Sequence, residues 1–164
     1  AAVESDPGAR IQFVAIGAYQ LAEARRAAER LRGKGIGVNV TVILEPGRLR
    51  SPRDRFEEEF VISDQAVRSL FPAGLARLLV THTRPEMMTG LLRRLDEGPS
   101  LMRAHGYLSR GGTLDTAGML FANRSSWAHL ILSAAELLGV AASLLLSPAE
   151  LAAASGQGDP KVLR

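Results

Sequence analysis

Cysteine is absent from this sequence, and so are the short motifs that most often mark a nucleotide site or a nucleophile. Without thiols the chain can form neither a disulfide framework nor a thiolate metal site. This fits a reducing compartment, and we expect a cytoplasmic protein. No segment reads G-x-x-x-x-G-K-[ST], which excludes a P-loop. The segment Gly17-Ala18-Tyr19-Gln20 departs from the dinucleotide pattern G-x-G-x-x-G, and no G-x-S-x-G elbow presents a nucleophilic serine.

Aromatic residues and charge of a single sign are both scarce. The chain holds five Phe, two Tyr and one Trp, and its 20 Lys and Arg are offset by 17 Asp and Glu to give a net charge of +3. A base-stacking platform and a basic stripe are therefore missing, and we expect no nucleic-acid partner.

A membrane span and a secretory leader are also not indicated. Residues 127–146 form the most apolar run, but His129, Ser133 and Glu136 lie inside it and Gly139 interrupts it. We expect a buried core helix there and no membrane contact. The chain opens with AAVESDPGAR, without Met and without an apolar stretch. Such an opening predicts a piece of a longer polypeptide.

The length and composition fit one domain. With 164 residues, of which 46% are hydrophobic, the chain has room for one core and little else. We expect residues 1–10 to be a linker from a preceding domain, residues 11–147 to form an α/β domain, and residues 148–164 to be a C-terminal extension with a frayed end.

Strand and helix patterns alternate along the predicted domain. Apolar or β-branched runs predict strands at residues 11–17, 37–44, 76–83 and 101–108. Helical periodicity separates the first two strands, and βαβ units of this kind build parallel sheets. We therefore predict a three-layer α/β/α fold with a mostly parallel five-stranded sheet. The pattern of residues 140–146 suits a fifth strand or a helix equally well.

The helix predictions rest on apolar faces and end signals. They cover residues 18–35, a charged stretch beginning at Ser51 and Pro52, residues 63–71, residues 83–98 and a segment from about Ser126. In the fourth of these, Thr83 and Glu86 have capping-box spacing. Its predicted buried stripe consists of Met87, Met88, Leu91, Leu92 and Leu95.

Polar chemistry is concentrated in the segment HGYLSRGGTLDTAGMLFANRSSWAHL, residues 105–130. It is either an irregular polar loop on a scaffold or a surface that faces a ligand. In parallel sheets ligands lie beyond the carboxyl ends of the strands, which is where His82 and the segment from His105 are predicted. The Gly111-Gly112-Thr113 turn, with Arg110 and Arg124, is suited to holding an anion. We identify no catalytic residue and no metal site.

The segment resembles a known family. From Leu44 onward the chain is similar to the C-terminal domain of phosphoketolases, which are thiamine-diphosphate enzymes that cleave ketose phosphates. The residues that carry this resemblance are the strand-terminal His82, Gly106-Tyr107, Gly111, Thr113, Met119, Asn123 and His129-Leu130. Residues 13–31 resemble the opening of transketolase-type C-terminal domains in general. Residues 112–118, His105 and Trp127-Ala128 depart from the phosphoketolase pattern, which indicates a divergent branch.

The resemblance implies a multidomain enzyme of carbohydrate metabolism. Related proteins also carry the label xylulose 5-phosphate 3-epimerase, so the reaction stays open between phosphoketolase, transketolase and epimerase. Thiamine diphosphate and Mg²⁺ would be bound by other domains of a homodimeric enzyme, since the Gly-Asp-Gly…Asn stretch that binds them is absent here. This domain alone would be inactive and bind no cofactor.

The resemblance also implies a position for the polar residues beside the sugar-phosphate channel. The predicted channel-lining or substrate-binding residues are His82, His105, Arg110, Gly111, Gly112, Thr113, Asn123, Arg124 and His129. Two other hypotheses remain open. One is a stand-alone domain that binds an anionic, phosphorylated ligand, and the other is an architectural domain whose polar loop stabilises an interface.

Overall fold

Five strands form one mixed sheet in the computed structural model, which describes residues 2–108 and 112–164. The strands are β1 (Ala2–Glu4), β2 (Ile11–Ile16), β3 (Val38–Val42), β4 (Ala76–Thr81) and β5 (Met102–His105). Their order across the sheet is β1-β3-β2-β4-β5. β2 pairs in parallel with β3 and β4, and β4 with β5, whereas β1 runs antiparallel to β3. The predicted mostly parallel, five-stranded sheet is confirmed.

The fifth strand is the short edge strand β1. It lies inside residues 1–10, where we predicted a linker, and the undecided segment 140–146 instead contains a 3₁₀ helix, Ala142–Leu144. Asp6 holds the N-terminal segment in place, because its carboxylate accepts hydrogen bonds from the Val38 amide at 2.9 Å and from Arg32 Nε at 2.6 Å. Three residues are too few to show a period-two pattern, so no strand was predicted there.

Helices cover both faces of the sheet. They are α1 (Ala18–Arg32), α2 (Asp64–Leu70), α3 (Pro85–Leu91), α4 (Thr116–Ala122), α5 (Trp127–Leu138) and α6 (Pro148–Ala154). One core contains buried side chains of α1, α5 and α6, and a second core on the other face contains those of α2 and α3. This arrangement confirms the predicted three layers.

The two longest helices follow their predicted patterns. α1 buries Ala24, Ala28 and Leu31, which lie on one face of the helix at the spacing that helical periodicity requires. α5 begins after its N-cap Ser126 and ends at Gly139, which adopts the left-handed conformation (φ +65°) that favours glycine. The apolar run from residue 127 is therefore a core helix that stops after 12 residues. Within residues 2–108 and 112–164, no helix combines the length and the apolar character that crossing a bilayer requires.

The charged and short helices were predicted less well. No helix begins at Ser51, since this part of the chain holds only the 3₁₀ turns Pro46–Leu49 and Glu58–Phe60. α2 is confirmed, with Ser63 Oγ accepting from the Ala66 amide.

The predicted helix over residues 83–98 is shorter than its pattern suggested. It divides into α3 and a 3₁₀ turn, Arg93–Leu95, and Arg84 rather than Thr83 is its N-cap. The Thr83 hydroxyl lies 3.1 Å from Thr81 Oγ1 instead of capping the helix. Met87 is 69% exposed, so its assignment to the buried stripe was wrong. A helix of seven residues packs fewer side chains against the core than the predicted helix of sixteen residues would.

The C-terminal extension is ordered rather than frayed. A capping box of Ser147 and Glu150 starts α6, and a 3₁₀ helix, Pro160–Leu163, follows it. The Leu163 side chain is buried, and its carbonyl accepts hydrogen bonds from Trp127 Nε1 at 2.9 Å and from Arg26 at 3.1 Å. These tertiary contacts hold a segment whose local sequence, SGQGDPKVLR from residue 155, suggested a frayed end.

A buried arginine ties together the loops at the amino ends of the strands. Arg77 on β4 is 1% exposed, and its guanidinium donates to Gln12 Oε1 (3.2 Å), to the Leu95 carbonyl (2.5 Å) and to the Pro72 carbonyl (3.0 Å). Glu97 lies 3.6 Å from the same group and supplies the opposite charge. Burial lowers the pKa of Arg77, and Glu97 counteracts that shift. A buried charge is tolerated when its donors are satisfied in this way.

We expect Arg77→Met to lower the free energy of unfolding by about 3 kcal/mol, because it leaves two carbonyls and an amide oxygen buried without donors. Urea denaturation measures this loss. The matched control is Arg93→Met, since Arg93 is exposed and its replacement should change stability by less than about 0.5 kcal/mol. Equal effects of the two substitutions would contradict this role for Arg77.

Candidate functional site

The register of the parallel strands brings three chain segments together at the carboxyl edge of the sheet. Ile16 on β2 pairs with Thr81 on β4, and Val80 pairs with His105 on β5. Gly17 and His82 therefore leave adjacent strands side by side, with Gly106 leaving the next strand. As predicted from the strand pattern, His82 and His105 lie at this edge.

His82 is an exposed imidazole with one nitrogen already bonded. Its Nδ1 lies 3.0 Å from the Ile16 carbonyl oxygen, which can only accept, so Nδ1 carries the hydrogen. In the neutral ring the other nitrogen, Nε2, then has a free lone pair, and it makes no hydrogen bond to residues 2–108 or 112–164. The backbone thus fixes the tautomer and presents Nε2 as an acceptor.

Gly17 makes room for this imidazole. Its φ of +117° is one that residues with a side chain rarely adopt, and a Cβ here would lie 3.1 Å from His82 Nδ1 and clash with the Gln20 amide. The sequence showed only that Gly17 does not belong to a dinucleotide motif. The packing shows that it is needed for the position of His82 and Gln20.

A pocket of about 100 Å³ lies next to His82. Its wall combines the start of α1, the end of β4, the exit of β5 and the end of α4. Tyr19, Gln20 and Tyr107 line it together with His82, and none of these three was predicted as a site residue. Their position could have been inferred from the strand ends alone, because Tyr19 and Gln20 directly follow β2 and Tyr107 follows β5.

Four of the predicted loop residues contribute little described geometry. Arg110 and Gly111 lie outside the described residues, as does Ser109. Gly112 (φ +82°) and Thr113 are exposed at the start of the segment that leads to α4. The anion-holding role of the Gly111-Gly112-Thr113 turn stays a prediction.

Asn123 joins the exit of β5 to the end of α4. Its Oδ1 accepts a hydrogen bond from the Leu108 amide at 2.7 Å, and its Nδ2 donates to the Met119 carbonyl at 2.9 Å. Both ends of the side-chain amide are thus used within the chain. This geometry favours a structural role for Asn123, in which it positions the wall of the His82 pocket.

Arg124 has a strained backbone at the turn between α4 and α5. Its φ is +53°, and it is the one non-glycine residue with positive φ among residues 2–108 and 112–164. The Arg124 amide donates to Phe121 O and the Ser125 amide to Leu120 O, which is the hydrogen-bond pattern of a Schellman helix end. Glycine is preferred at this position, so an exposed arginine here has a conformational cost.

The other two predicted histidines are held inside the domain. His105 is partly buried, with Nε2 2.7 Å from Ser133 Oγ, and His129 is only 3% exposed, with Nδ1 2.7 Å from Ser126 Oγ. The i, i+4 pair His129 and Ser133 therefore packs inward from α5. Both histidines are close to the carboxyl edge, but helix α5 and its neighbours cover them.

Burial keeps these two imidazoles neutral. The pKa of His105 falls from 6.5 to about 4 because burial disfavours the charged ring and because Arg124 and His129 add positive charge nearby. The pKa of His129 is also about 4, mainly through burial and then through Arg124, while a hydrogen bond to the Ala154 carbonyl opposes the shift. Neutral, internally bonded histidines are suited to packing more than to binding an anion.

Helix α4 was missed by the sequence reading, which treated the whole polar segment as a loop. Asp115 caps it through a 2.7 Å hydrogen bond to the Gly118 amide, and none of its residues is fully buried. A groove of about 590 Å³ runs between α4, α1 and the C-terminal segment, with a mainly apolar lining that includes Ala22, Leu114 and Phe121. An internal glycine and the absence of a buried face explain why no helical pattern was visible.

Exposed apolar side chains cluster in the connections that leave the carboxyl ends of the strands. These connections contribute most of the large exposed hydrophobic residues in the described part of the chain: Tyr19, Leu44, Phe56, Phe60, Met87, Tyr107, Leu108, Leu114 and Met119. We call these nine residues the apolar rim. Large apolar side chains left exposed in this way are candidates for contacts with another protein or domain.

The two neutral histidines predict a pH-dependent stability. In the unfolded chain each histidine takes up a proton as the pH falls through about 6.5, whereas in the folded chain each stays neutral down to about 4. Their stabilising contribution is therefore complete above pH 6.5 and is lost between pH 6.5 and 4. Between pH 7 and pH 5 we expect a loss of about 2 kcal/mol per histidine in urea denaturation.

The variant His105→Gln/His129→Asn is the matched control for this pH dependence. Gln replaces Nε2 of His105 and Asn replaces Nδ1 of His129, so both serine hydrogen bonds can persist without a titrating group. The double variant should show a much smaller difference between pH 7 and pH 5. An unchanged difference would show that other groups cause the effect.

The strained turn predicts that Arg124→Gly raises the free energy of unfolding by about 1 kcal/mol, because glycine adopts positive φ without a Cβ clash. Arg124→Ala removes the same charge but keeps the Cβ, and it should give no such gain. Urea denaturation of both variants at pH 7 separates the backbone effect from the charge effect. Equal stability of the two variants would argue against strain at Arg124.

Solved structures of transketolases share this fold. Transketolase from Leishmania mexicana matches 84% of this chain with a TM-score of 0.59 and 17% sequence identity. A split-gene transketolase, described as an inactive beta4 tetramer, matches 85% of the chain with a TM-score of 0.56 and 16% identity. The chain spans 18% and 43% of the length of these two chains.

No family profile and no curated protein sequence matches the chain. At 17% and 16% identity the structural likeness shows the fold alone. The fold is that of an α/β domain like the C-terminal domain of transketolase, as the resemblance had implied.

Proposed function

We propose that this chain is the C-terminal domain of a thiamine-diphosphate-dependent enzyme that acts on a ketose phosphate. The observation that carries the proposal is the transketolase-like fold over 84% of the chain, matched to only 18% of the Leishmania mexicana transketolase. The sequence resemblance of the His82 strand and of residues 106–130 to phosphoketolases supports the same assignment independently. In this proposal the domain packs beside cofactor-binding domains, which lie elsewhere in the polypeptide or on a partner chain.

The apolar rim supports a neighbour at the carboxyl edge. Its members include Leu44, 76% exposed, and Tyr19, 60% exposed, at the ends of adjacent strands. Covering such side chains releases free energy of roughly 25 cal/mol per Å² of apolar surface. One of the similar structures is a split-gene transketolase, so in this proposal the neighbour is either a preceding domain or a partner chain.

The residues of this chain do not fit the cofactor itself. The Gly-Asp-Gly…Asn stretch is absent from the sequence, and the described residues contain no group of three His, Asp or Glu side chains that could hold a metal ion. We therefore place thiamine diphosphate and Mg²⁺ on the neighbouring domains. The contribution of this domain is to brace the homodimer and to line the substrate channel with His82 and the segment that follows β5.

An architectural role is the second candidate for part of the segment. Asn123 uses its whole amide inside the chain, and His105 and His129 are bonded to Ser133 and Ser126. These three residues support the interface hypothesis, because they shape the carboxyl edge without facing outward. Among the predicted residues that the structure describes, His82, Gly112, Thr113 and Arg124 are exposed and are able to reach a substrate.

The deciding experiment is an activity assay of the complete enzyme, either the full polypeptide or this chain with its partner. We expect cleavage or transfer from xylulose 5-phosphate that requires thiamine diphosphate and Mg²⁺, and no turnover by this chain alone. Dependence on inorganic phosphate would identify a phosphoketolase, and dependence on an aldose phosphate a transketolase. Conversion to ribulose 5-phosphate without thiamine diphosphate would identify an epimerase and would refute the proposal. Absence of any thiamine-diphosphate-dependent activity on xylulose 5-phosphate in the complete, assembled protein would refute it as well.

The place of the apolar rim in that assembly gives a mutational prediction. Leu114→Asp should lower the assembled fraction in analytical ultracentrifugation at least tenfold, since it puts a charge into an apolar contact. Leu144→Asp is the matched control, because Leu144 is 66% exposed and lies outside the rim. Loss of assembly in both variants, or in neither, would mean that the rim is not the contact surface.

A further inference from the structure

The pocket beside His82 has a mainly apolar lining that includes a few polar groups. It takes side chains from four elements and is open at the carboxyl edge, with a volume of about 100 Å³. Typical pockets for whole small molecules are several times larger. The space therefore suits one end of a ligand.

Several polar groups in the lining are already used inside the chain. Both ends of the Asn123 amide are bonded, Ser125 Oγ donates to the Asn123 carbonyl at 3.2 Å, and Thr81 Oγ1 pairs with Thr83 Oγ1. Removing these from consideration leaves a small set of groups that can contact a ligand.

Four groups remain without a hydrogen bond to residues 2–108 or 112–164. They are Nε2 of His82, the side-chain amide of Gln20 and the phenol hydroxyls of Tyr19 and Tyr107. Together they offer both donors and acceptors, and the amide and the hydroxyls can each do both. Such mixed groups match alcohol hydroxyls, which also donate and accept.

Among residues 2–108 and 112–164, the lining contains no lysine or arginine. An anion such as phosphate is recognised in proteins by guanidinium groups, ammonium groups or several convergent backbone amides. The aromatic rings of Tyr19 and Tyr107 instead supply apolar surface for the carbon atoms of a ligand. The chemistry of the pocket therefore favours an uncharged, hydroxylated carbon chain.

We infer that this pocket binds the hydroxyl-bearing end of a polyol or open-chain sugar. His82 Nε2 accepts a hydrogen bond from one hydroxyl, Gln20 and the two tyrosines bond the neighbouring ones, and the phosphate of a sugar phosphate lies outside the pocket. This inference rests on the proposed function in its choice of ligand, and it adds Tyr19, Gln20 and Tyr107 to the substrate-contacting residues. It also separates the sugar end from the anion-holding turn predicted at Gly111-Gly112-Thr113.

The test is ligand titration of the 164-residue chain, followed by NMR signals of the His82 and Tyr107 rings. Xylitol should shift these signals in a saturable way. The compound 1,5-pentanediol has the same carbon chain without the three inner hydroxyls, and it should bind at least tenfold more weakly, because a hydrogen-bonding site rejects an analogue that lacks the hydroxyl. Inorganic phosphate should leave the signals unshifted.

Variants identify the contacting groups. His82→Asn keeps a donor for the Ile16 carbonyl but loses the Nε2 position, and Tyr107→Phe removes only a hydroxyl, so each should weaken xylitol binding about tenfold. Gln20→Ala should weaken it likewise, whereas Gln65→Ala, at an exposed position on α2, should not. Binding in the His82→Asn variant is followed through the Tyr107 ring.

Three outcomes would overturn the inference. They are equal binding of xylitol and 1,5-pentanediol, saturable shifts with phosphate alone, and no shift with xylitol at concentrations up to the molar range. The result is independent of enzyme activity. If xylitol binds but the complete protein has no thiamine-diphosphate-dependent activity, the inference about the pocket stands and the proposed function is wrong. If the complete protein has that activity but xylitol does not bind, the proposed function stands and the inference about the pocket is wrong.

Discussion

The pairing of β2 with β4 is the constraint on which the arrangement at the carboxyl edge depends. Six consecutive residue pairs hold these central strands in parallel register. The two strands therefore end side by side at the carboxyl edge of the sheet. That coincidence lets the Ile16 carbonyl reach the His82 ring, and it requires a glycine at position 17. A shift of the register by one residue would turn every side chain of a strand to the other face. The site is therefore a consequence of strand pairing rather than of loop sequence.

The sequence predicted those parts of the fold that repeat. The central strands and α1 have apolar patterns long enough to be recognised, and their positions were confirmed within a few residues. Two elements escaped because their stability comes from distant contacts. β1 is held through Asp6, and the C-terminal 3₁₀ helix through Trp127 and Arg26. A local sequence pattern does not reveal a hydrogen bond to a residue that is distant in the chain. Helix α4 escaped for a different reason, because it contains a glycine and has no buried face.

The candidate site was predicted in part. The strand-end rule placed His82 and His105 at the correct edge, but it said nothing about which way a side chain turns. His129 was chosen for its residue type and proved to be packed inside, while Tyr19 and Gln20 were passed over because they match no motif. The polar residue types therefore indicated the carboxyl edge of the sheet as the site. Only the burial seen in the structure distinguishes the residues that shape this edge from those that can contact a ligand.

The C-terminal contacts give the domain a built-in optical reporter. The chain has a single tryptophan, and its indole is 2% exposed, lies beneath the guanidinium groups of Arg26 and Arg30 at 4.8 and 5.1 Å from the ring centroid, and donates to the Leu163 carbonyl. If the last residues detached, the indole would become exposed to water and would lose the Leu163 carbonyl as its hydrogen-bond acceptor. Fluorescence emission from Trp127 thus reports the attachment of the C-terminal segment.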